Sequence, residues 1–459
     1  MLAVPDRGRT FIERLREDLD RSLFRPTPAD STGFSRWEGG LILVSVLALA
    51  SVMQLFRLGP SSALNSLWAE DGMVFLGGAM THGFFDAVTM THGEYLVVLP
   101  RLIAEVGTIV PLRDAPVAMN LATVLIIALS GVAVWFAAAG LIQSPYLRSL
   151  LVALVVLCPV SSIEAVASPT NVAWYTSFAV FWLLLWRPAT TWGACLGGLL
   201  ILITGVSSPA TLFFVPIVVL RAIAIRDRRD VLVVGAFVLG AAIQVPATML
   251  SDEQLPGSVW TRHIVTAFLQ RVVDSSVLGL ELGGSTWADW GWPLLIAIVG
   301  AVAVCLAALL LRASSGRLFA AVAIATSTAM FMASAYVRAP LGDFMVWRTD
   351  EYTSLGGRYA IIPALLLISA FLVLADSSLR STKGRPVAAI ATAAMLLVAL
   401  ITSFDVRGEI GRGGPPWDEG LRTATARCEA EEVAEVPVAT APAGWTMTVS
   451  CERLLQKSD

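Results

Sequence analysis

The sequence has little charge, and its most apolar stretches have almost none. Only 15% of its 459 residues are Asp, Glu, Lys or Arg, against 56% hydrophobic residues, and the mean hydropathy is +0.73. A chain of this length has too little interior to hide that much apolar surface from water, which excludes a soluble globular protein and indicates a polytopic membrane protein. Lysine is nearly missing, at positions 383 and 457 only, so the basic residues are almost all arginine. The net charge of -3 is too small to imply a nucleic-acid partner. Five cysteines show no zinc-type spacing. Asp, Glu, Lys, Arg and His are absent from 116–140, 149–160, 172–186, 192–220, 231–250, 292–311, 318–337, 359–375 and 386–403. Ion- and proton-coupled transporters ordinarily carry such groups inside the membrane, so their absence counts against that class.

What is present is a series of apolar runs, roughly 38–57, 94–112, 116–140, 148–161, 171–187, 192–206, 208–225, 231–250, 291–312, 317–337, 358–376 and 386–403. Ahead of the first lies a charged amphipathic tail, 1–37, with Arg7, Arg9, Arg14, Arg16, Arg21, Arg25 and Arg36. It reaches its apolar region too late for a cleavable signal peptide and reads as a cytoplasmic tail. The basic stretch "RAIAIRDRRD" (221–230), "RASSGR" (312–317) and the segment with Arg380, Lys383 and Arg385 also read as cytoplasmic. These assignments agree only if one early run fails to cross. The choice falls on 94–112, which carries Glu94, Pro100, Arg101 and Glu105; each charge at bilayer depth costs about 2.5–3.5 kcal/mol. Val98, Leu102 and Val106 share one helical face and Arg101 and Glu105 another, as in a helix lying in the interface. The expected fold is therefore an all-α polytopic membrane protein with about 11 transmembrane helices in 38–403, plus interfacial helices in a first outer loop, 58–115. The tail 404–459 is expected outside, where Cys428 and Cys451 are candidates for a disulfide. The alternative is that 94–112 crosses and 192–225 forms one kinked unit.

The charges gather in the predicted outer loops. Loop 58–115 holds Glu70, Asp71, His82, Asp86, His92, Glu94, Arg101 and Glu105. The turn near 161–171 holds Glu164 and Asn171; loop 251–290 holds Arg262, His263, Arg271, Asp274, Glu281 and Asp289; loop 338–358 holds Arg348 and Arg358. Carboxylates for proton transfer beside arginines for an anion point to an active site at one membrane face. Each residue also has a plainer reading. Glu70 and Asp71 can cap a helix starting at Gly72. Arg101 can pair with Glu105 one turn on. Arg358 can be an interfacial anchor, as can Trp174 and Tyr175. His82 and His92 sit in a repeated "MTHG", either a metal site or two similar turns.

An acidic pair just after the first span, followed by an interfacial helix, resembles the polytopic GT-C glycosyltransferases. More narrowly, "WAEDG" (68–72), "EYLVVLPRL" (94–102), "NVAWY" (171–175), "GVSSP" (205–209) and "GGRYAIIP" (356–363) resemble the landmarks of a group of bacterial membrane proteins with GT-C-like architecture, over about residues 38–376. The resemblance implies transfer of a sugar from a polyprenyl-phosphate donor to a glycan or lipid acceptor of the cell envelope, on the outer face of the bacterial plasma membrane. It implies Asp71 as general base with Glu70 beside it. It implies Arg358 on the leaving phosphate, with Arg348 and Arg101 as alternatives, and His92, Glu94, Glu164, Asn171, Trp174 and Tyr175 as further substrate contacts. The Glu-Asp pair departs from the Asp-x-Asp of some relatives, so the resemblance leaves use of a divalent metal, magnesium or manganese, open. The rival expectations are a lipid or polysaccharide flippase and a non-catalytic envelope-assembly protein.

Overall fold

The computed structural model describes residues 10–27, 36–250, 263–338, 356–381, 386–406 and 414–455. The protein is an all-α membrane protein in architecture, with two short two-stranded antiparallel sheets among the described residues. Among the described residues six helices are long and apolar enough to cross a membrane: Gly40–Leu58, Leu112–Gly140, Arg228–Met249, Leu280–Arg312, Arg317–Tyr336 and Gly357–Leu379. This corrects the expectation of about 11. Pro145–Val156, Thr191–Gly205 and Val387–Thr402 have only 12, 15 and 16 residues. At 1.5 Å per residue they reach about 18–24 Å, short of a hydrocarbon core about 30 Å thick. Their apolar runs are cut by breaks, such as Val206–Ser208 ahead of a 3-10 turn at Pro209–Phe214.

Packing places Ile361–Leu379 at the centre. All but its last residue are buried. In lipid, apolar burial alone does not hold helices together; close packing and satisfied polar groups do. Phe181 meets Phe214 and Phe319 edge-on at 5.7 and 5.9 Å. Gly205 and Gly240 let Thr191–Gly205 and Arg228–Met249 touch backbone to backbone: a Cβ on Gly205 would lie 3.3 Å from the Gly240 Cα. The 33-residue Leu280–Arg312 breaks at Gly291 (φ 54°), beside Pro293. Trp290 and Trp292 are exposed at that bend, Tyr146 and Trp192 at the starts of other helices, as aromatics at a bilayer interface are.

The bundle has two chemically distinct ends. At the basic end, the amphipathic helix Phe11–Ser22 is closed by a Thr10–Glu13 capping box. Its Asp20 pairs with Arg187 and Arg226, and Arg16 donates to the Ile223 carbonyl at 2.6 Å. Asp376 accepts from the amides of Gln143 and Ser144 at the same end. At the opposite end sits Arg57, fully buried. It donates to the carbonyls of Cys158 (3.2 Å), Ser403 (3.0 Å) and Phe404 (3.1 Å), and to Ser161 Oγ (3.1 Å). One guanidinium thus joins the first long helix to segments following Pro145–Val156 and Val387–Thr402. Segment 94–112 holds no helix of membrane-spanning length: its helix, Val98–Ile109, has 12 residues and is tied down near both ends. Ser207 Oγ accepts from the Leu99 amide (2.9 Å), and Trp417 Nε1 donates to the Leu112 carbonyl (3.0 Å).

Arg57→Ala strips four acceptors of their donor and is expected to lower stability by about 3 kcal/mol or more. Thermal unfolding in detergent or nanodiscs checks this; a shift as small as that of a surface substitution overturns the clamp.

Candidate functional site

The amino end of the central helix lies at the Arg57 end of the bundle, and several sequence-predicted residues meet there. Gly356 (φ 78°) turns the chain into a 3-10 turn, Gly357–Ala360, which continues into Ile361–Leu379. The first amides of such a helix lack intrahelical acceptors and favour an anion. Glu164, buried in the turn 161–168, supplies it. Its Oε1 accepts from the Arg358 amide (3.3 Å) and its Oε2 lies 3.6 Å from the Arg358 guanidinium. Arg358 stacks on Tyr359 at 5.3 Å and feels the charge of Glu70; its side chain remains 27% exposed. Asn171 ties the corner together. Its Nδ2 donates to the Glu164 carbonyl (2.8 Å), and its Oδ1 accepts from Trp174 Nε1 (3.2 Å). Trp174 meets Tyr359 edge-on at 5.6 Å.

The two adjacent carboxylates have different surroundings. Asp71 is fully buried. Its Oδ1 accepts from the Thr170 amide (2.8 Å) and hydroxyl (2.5 Å), and its Oδ2 from Ser168 Oγ (3.1 Å). Neither reading of Asp71 from sequence describes this. It does not cap its own helix, and it has no open face for an acceptor hydroxyl, because its oxygens bind a second chain segment. Glu70 makes no side-chain cap either and stays partly exposed. Asp71–Leu76 forms a wide π turn. Ala69 (φ 38°) precedes the acidic pair and Ala167 (φ 51°) precedes Ser168, so both sides of the Asp71 junction hold alanine in a backbone region it rarely adopts. Strain of about 1–3 kcal/mol per residue persists only where surrounding structure enforces it.

A neighbouring group grows from the far end of the same turn. Phe75 meets His92 edge-on at 5.8 Å, and the Arg101 guanidinium lies 5.5 Å from the Phe75 ring centre. His92 pairs with Tyr95 in a two-residue hairpin whose turn, Gly93 (φ 62°) and Glu94 (φ 75°), has positive φ at both positions, as type I′ demands. Arg101 donates to the carbonyls of Met90 (2.9 Å) and Thr91 (3.4 Å), so the expected pairing with Glu105 does not form. Burial lowers the Arg101 guanidinium and raises the Glu105 carboxyl from their ordinary values. Arg101 is buried under the loop and Tyr175 in the bundle core, its hydroxyl 3.5 Å from the Ala165 carbonyl; neither is positioned for substrate. Arg348 lies outside the described residues.

Among the described residues no three His, Cys, Asp or Glu side chains come together as metal ligands. Glu164 is paired with Arg358 and the Asp71 oxygens are occupied, so the acidic corner as it stands does not fit a resident divalent ion. His82 turns its Nδ1 to the Gly78 carbonyl (3.1 Å) and His92 its ring to Phe75.

Sequence reasoning passed over Arg57, Ser168, Thr170 and Tyr359 as site-building residues. It named Asp274 only as a loop charge. Asp274 ends a second π turn, Leu269–Asp274, which packs against Gly357–Ala360. Burial pushes its carboxyl up to about 7. The polar spacing of Gln270, Arg271, Asp274 and Ser275 in an apolar stretch was the available signal.

No protein-family model matches the chain, and no curated protein is significantly similar to it.

Two predictions follow from these environments. Asp71→Ala leaves Ser168 and Thr170 without their acceptor and is expected to cost about 2–4 kcal/mol of stability, whereas Glu70→Ala costs under about 1 kcal/mol; equal melting shifts for the two variants sink the distinction. Asp274 binds its proton more tightly folded than unfolded. Its contribution therefore falls as pH rises from about 4 to about 7 and is level above that. The unfolding temperature of Asp274→Asn should lose that part of the pH dependence, which a melting series against the wild type reads directly.

Proposed function

We propose that this protein is a membrane glycosyltransferase that moves a sugar from a polyprenyl-phosphate donor to a glycan or lipid acceptor of the bacterial cell envelope. The supporting observation is the amino end of the central helix. There an anionic group, the Glu164 carboxylate, already lies against both the Arg358 guanidinium and the Arg358 amide. That donor set suits a phosphate, which offers the same charge and more acceptor oxygens.

In this reading the donor phosphate takes the place of the Glu164 carboxylate at Arg358. Glu70, partly exposed, accepts the proton of the acceptor hydroxyl as that oxygen bonds to the anomeric carbon. The bond from anomeric carbon to phosphate oxygen breaks, its electron pair leaves with the lipid phosphate, and Arg358 stabilises the charge that develops. Asp71 is assigned a positioning role, because its oxygens hold Ser168 and Thr170. The edge of Trp174 and Tyr359 offers a surface for the sugar ring.

The same reading orients the chain. The basic end faces the cytoplasm and the disulfide-bearing tail lies outside the plasma membrane. The pairing of Arg358 with Glu164 also fits a purely structural, non-catalytic role.

Purified protein in nanodiscs, given a panel of radiolabelled polyprenyl-phosphate sugars and envelope-lipid acceptors, distinguishes the two. Glu70→Gln is expected to reduce turnover by about 100-fold or more with the melting temperature unchanged. Arg358→Lys is expected to raise KM for the donor and lower kcat together. Wild-type protein that releases no lipid phosphate from any donor, or a Glu70→Gln variant that keeps full turnover, overturns the enzymatic reading.

A further inference from the structure

We propose that the disulfide-closed C-terminal hairpin is the positioning element of the acidic corner, holding the strained backbone at Ala69 and thereby setting where Glu70 and Asp71 point. The unit is small. The helix Trp417–Ala430 packs on the strands Glu435–Thr440 and Trp445–Ser450, with Val436, Val438, Met447 and Val449 buried between them. Cys428 on the helix is joined to Cys451 after the second strand, with 5.4 Å between Cα atoms, and the Cys451 amide donates to the Ala434 carbonyl at 2.8 Å. So few buried side chains hold a fold weakly without a covalent tie.

This unit grips residues 65–77 at both of its ends. On the helix side, Asn65 exchanges hydrogen bonds with Asp418 (2.6 Å to Oδ1 and 3.1 Å from the amide), and the Trp417 amide donates to the Asn65 carbonyl at 2.8 Å. On the hairpin side, Ala441 forms a parallel bridge with Trp68. Its amide donates to the Leu67 carbonyl at 3.0 Å, and its carbonyl accepts from the Ala69 amide. Ala69 is the residue held at φ 38°, directly before Glu70. The hairpin then lies on the π turn itself. A Cβ on Gly72 would fall 2.8 Å from Thr440 Cγ2, and one on Gly77 would fall 3.6 Å from Met447 Cγ. The glycines of the acidic segment are the space the hairpin occupies. The disulfide links the two grips, so the strain at Ala69 is enforced by a covalently closed clamp.

The proposal rests on the acidic corner being the working site, but its test reads order and not turnover, so the two can fail separately. The full chain is held in nanodiscs and amide hydrogen exchange is followed by mass spectrometry. The double variant Cys428→Ser/Cys451→Ser is expected to speed exchange of amides 66–77 about tenfold or more, while the central helix 361–379 keeps its protection. Gly72→Ala, with the disulfide intact, should loosen the same amides by steric conflict with Thr440. Adding Thr440→Ser, which removes the conflicting methyl, should restore them. Rescue of this kind separates positioning from general destabilisation. The proposal is overturned if 66–77 keeps its protection in the cysteine double variant, or if Thr440→Ser brings no recovery in the Gly72→Ala background.

Discussion

A guanidinium out of reach of water must have acceptors on every side, and that demand on Arg57 organises the end of the bundle where the acidic residues lie. Its acceptors are not other side-chain charges. Three are carbonyls, of Cys158, Ser403 and Phe404, at points where helices have just ended and backbone oxygens lack intrahelical donors. The arginine and the carbonyls therefore solve the same problem for each other, and the negative ends of those helices favour the charge. One consequence is positional. The segment leaving Cys158 starts from a fixed point and carries Glu164, Ser168, Thr170 and Asn171 within the next residues.

From that fixed point the corner is assembled by groups that bind across chain segments. Glu164 closes the amino end of the central helix, Asp71 collects the amide and hydroxyl of Thr170, and Asn171 joins the Glu164 backbone to Trp174. The central helix is buried on all sides, so its amino end is held at one depth and one rotation. A group on a fixed helix end is a better place for charge recognition than a free loop, because little ordering entropy remains to be lost on binding.

Composition made the membrane class legible, and loop arginines marked the basic end; Arg187 and Arg226 do meet the N-terminal helix there through Asp20. That 94–112 holds no helix of membrane-spanning length was also readable, because Arg101 and Glu105 fall inside an otherwise apolar run. The lengths of the crossing helices were not. Apolar runs such as 148–161 and 192–206 contain segments that hydropathy does not separate from helix but that end in turns, and only packing determines where each helix stops. At the candidate site, sequence order identified Glu70, Asp71, Glu164, Asn171, Trp174 and Arg358. It did not distinguish the buried partner from the exposed one, because Ser168 and Thr170 lie almost a hundred residues from Asp71 and no local pattern announces the pairing.

That distinction bears on the chemistry proposed for the pair. Glu70 and Asp71 are neighbours in sequence and equal in charge, yet their environments differ. A carboxylate that already accepts an amide and two hydroxyls has its oxygens occupied, and a hydroxyl approaching it would have to displace one of those donors at a cost of about 1–3 kcal/mol. A partly exposed carboxylate one residue earlier, separated from the core by the turn that begins at Ala69, meets no such cost. The longer side chain also reaches further from the backbone. An acidic pair placed on a strained turn thus has two environments: the inner member fixes the turn to the 168–170 segment, and the outer member stays partly exposed.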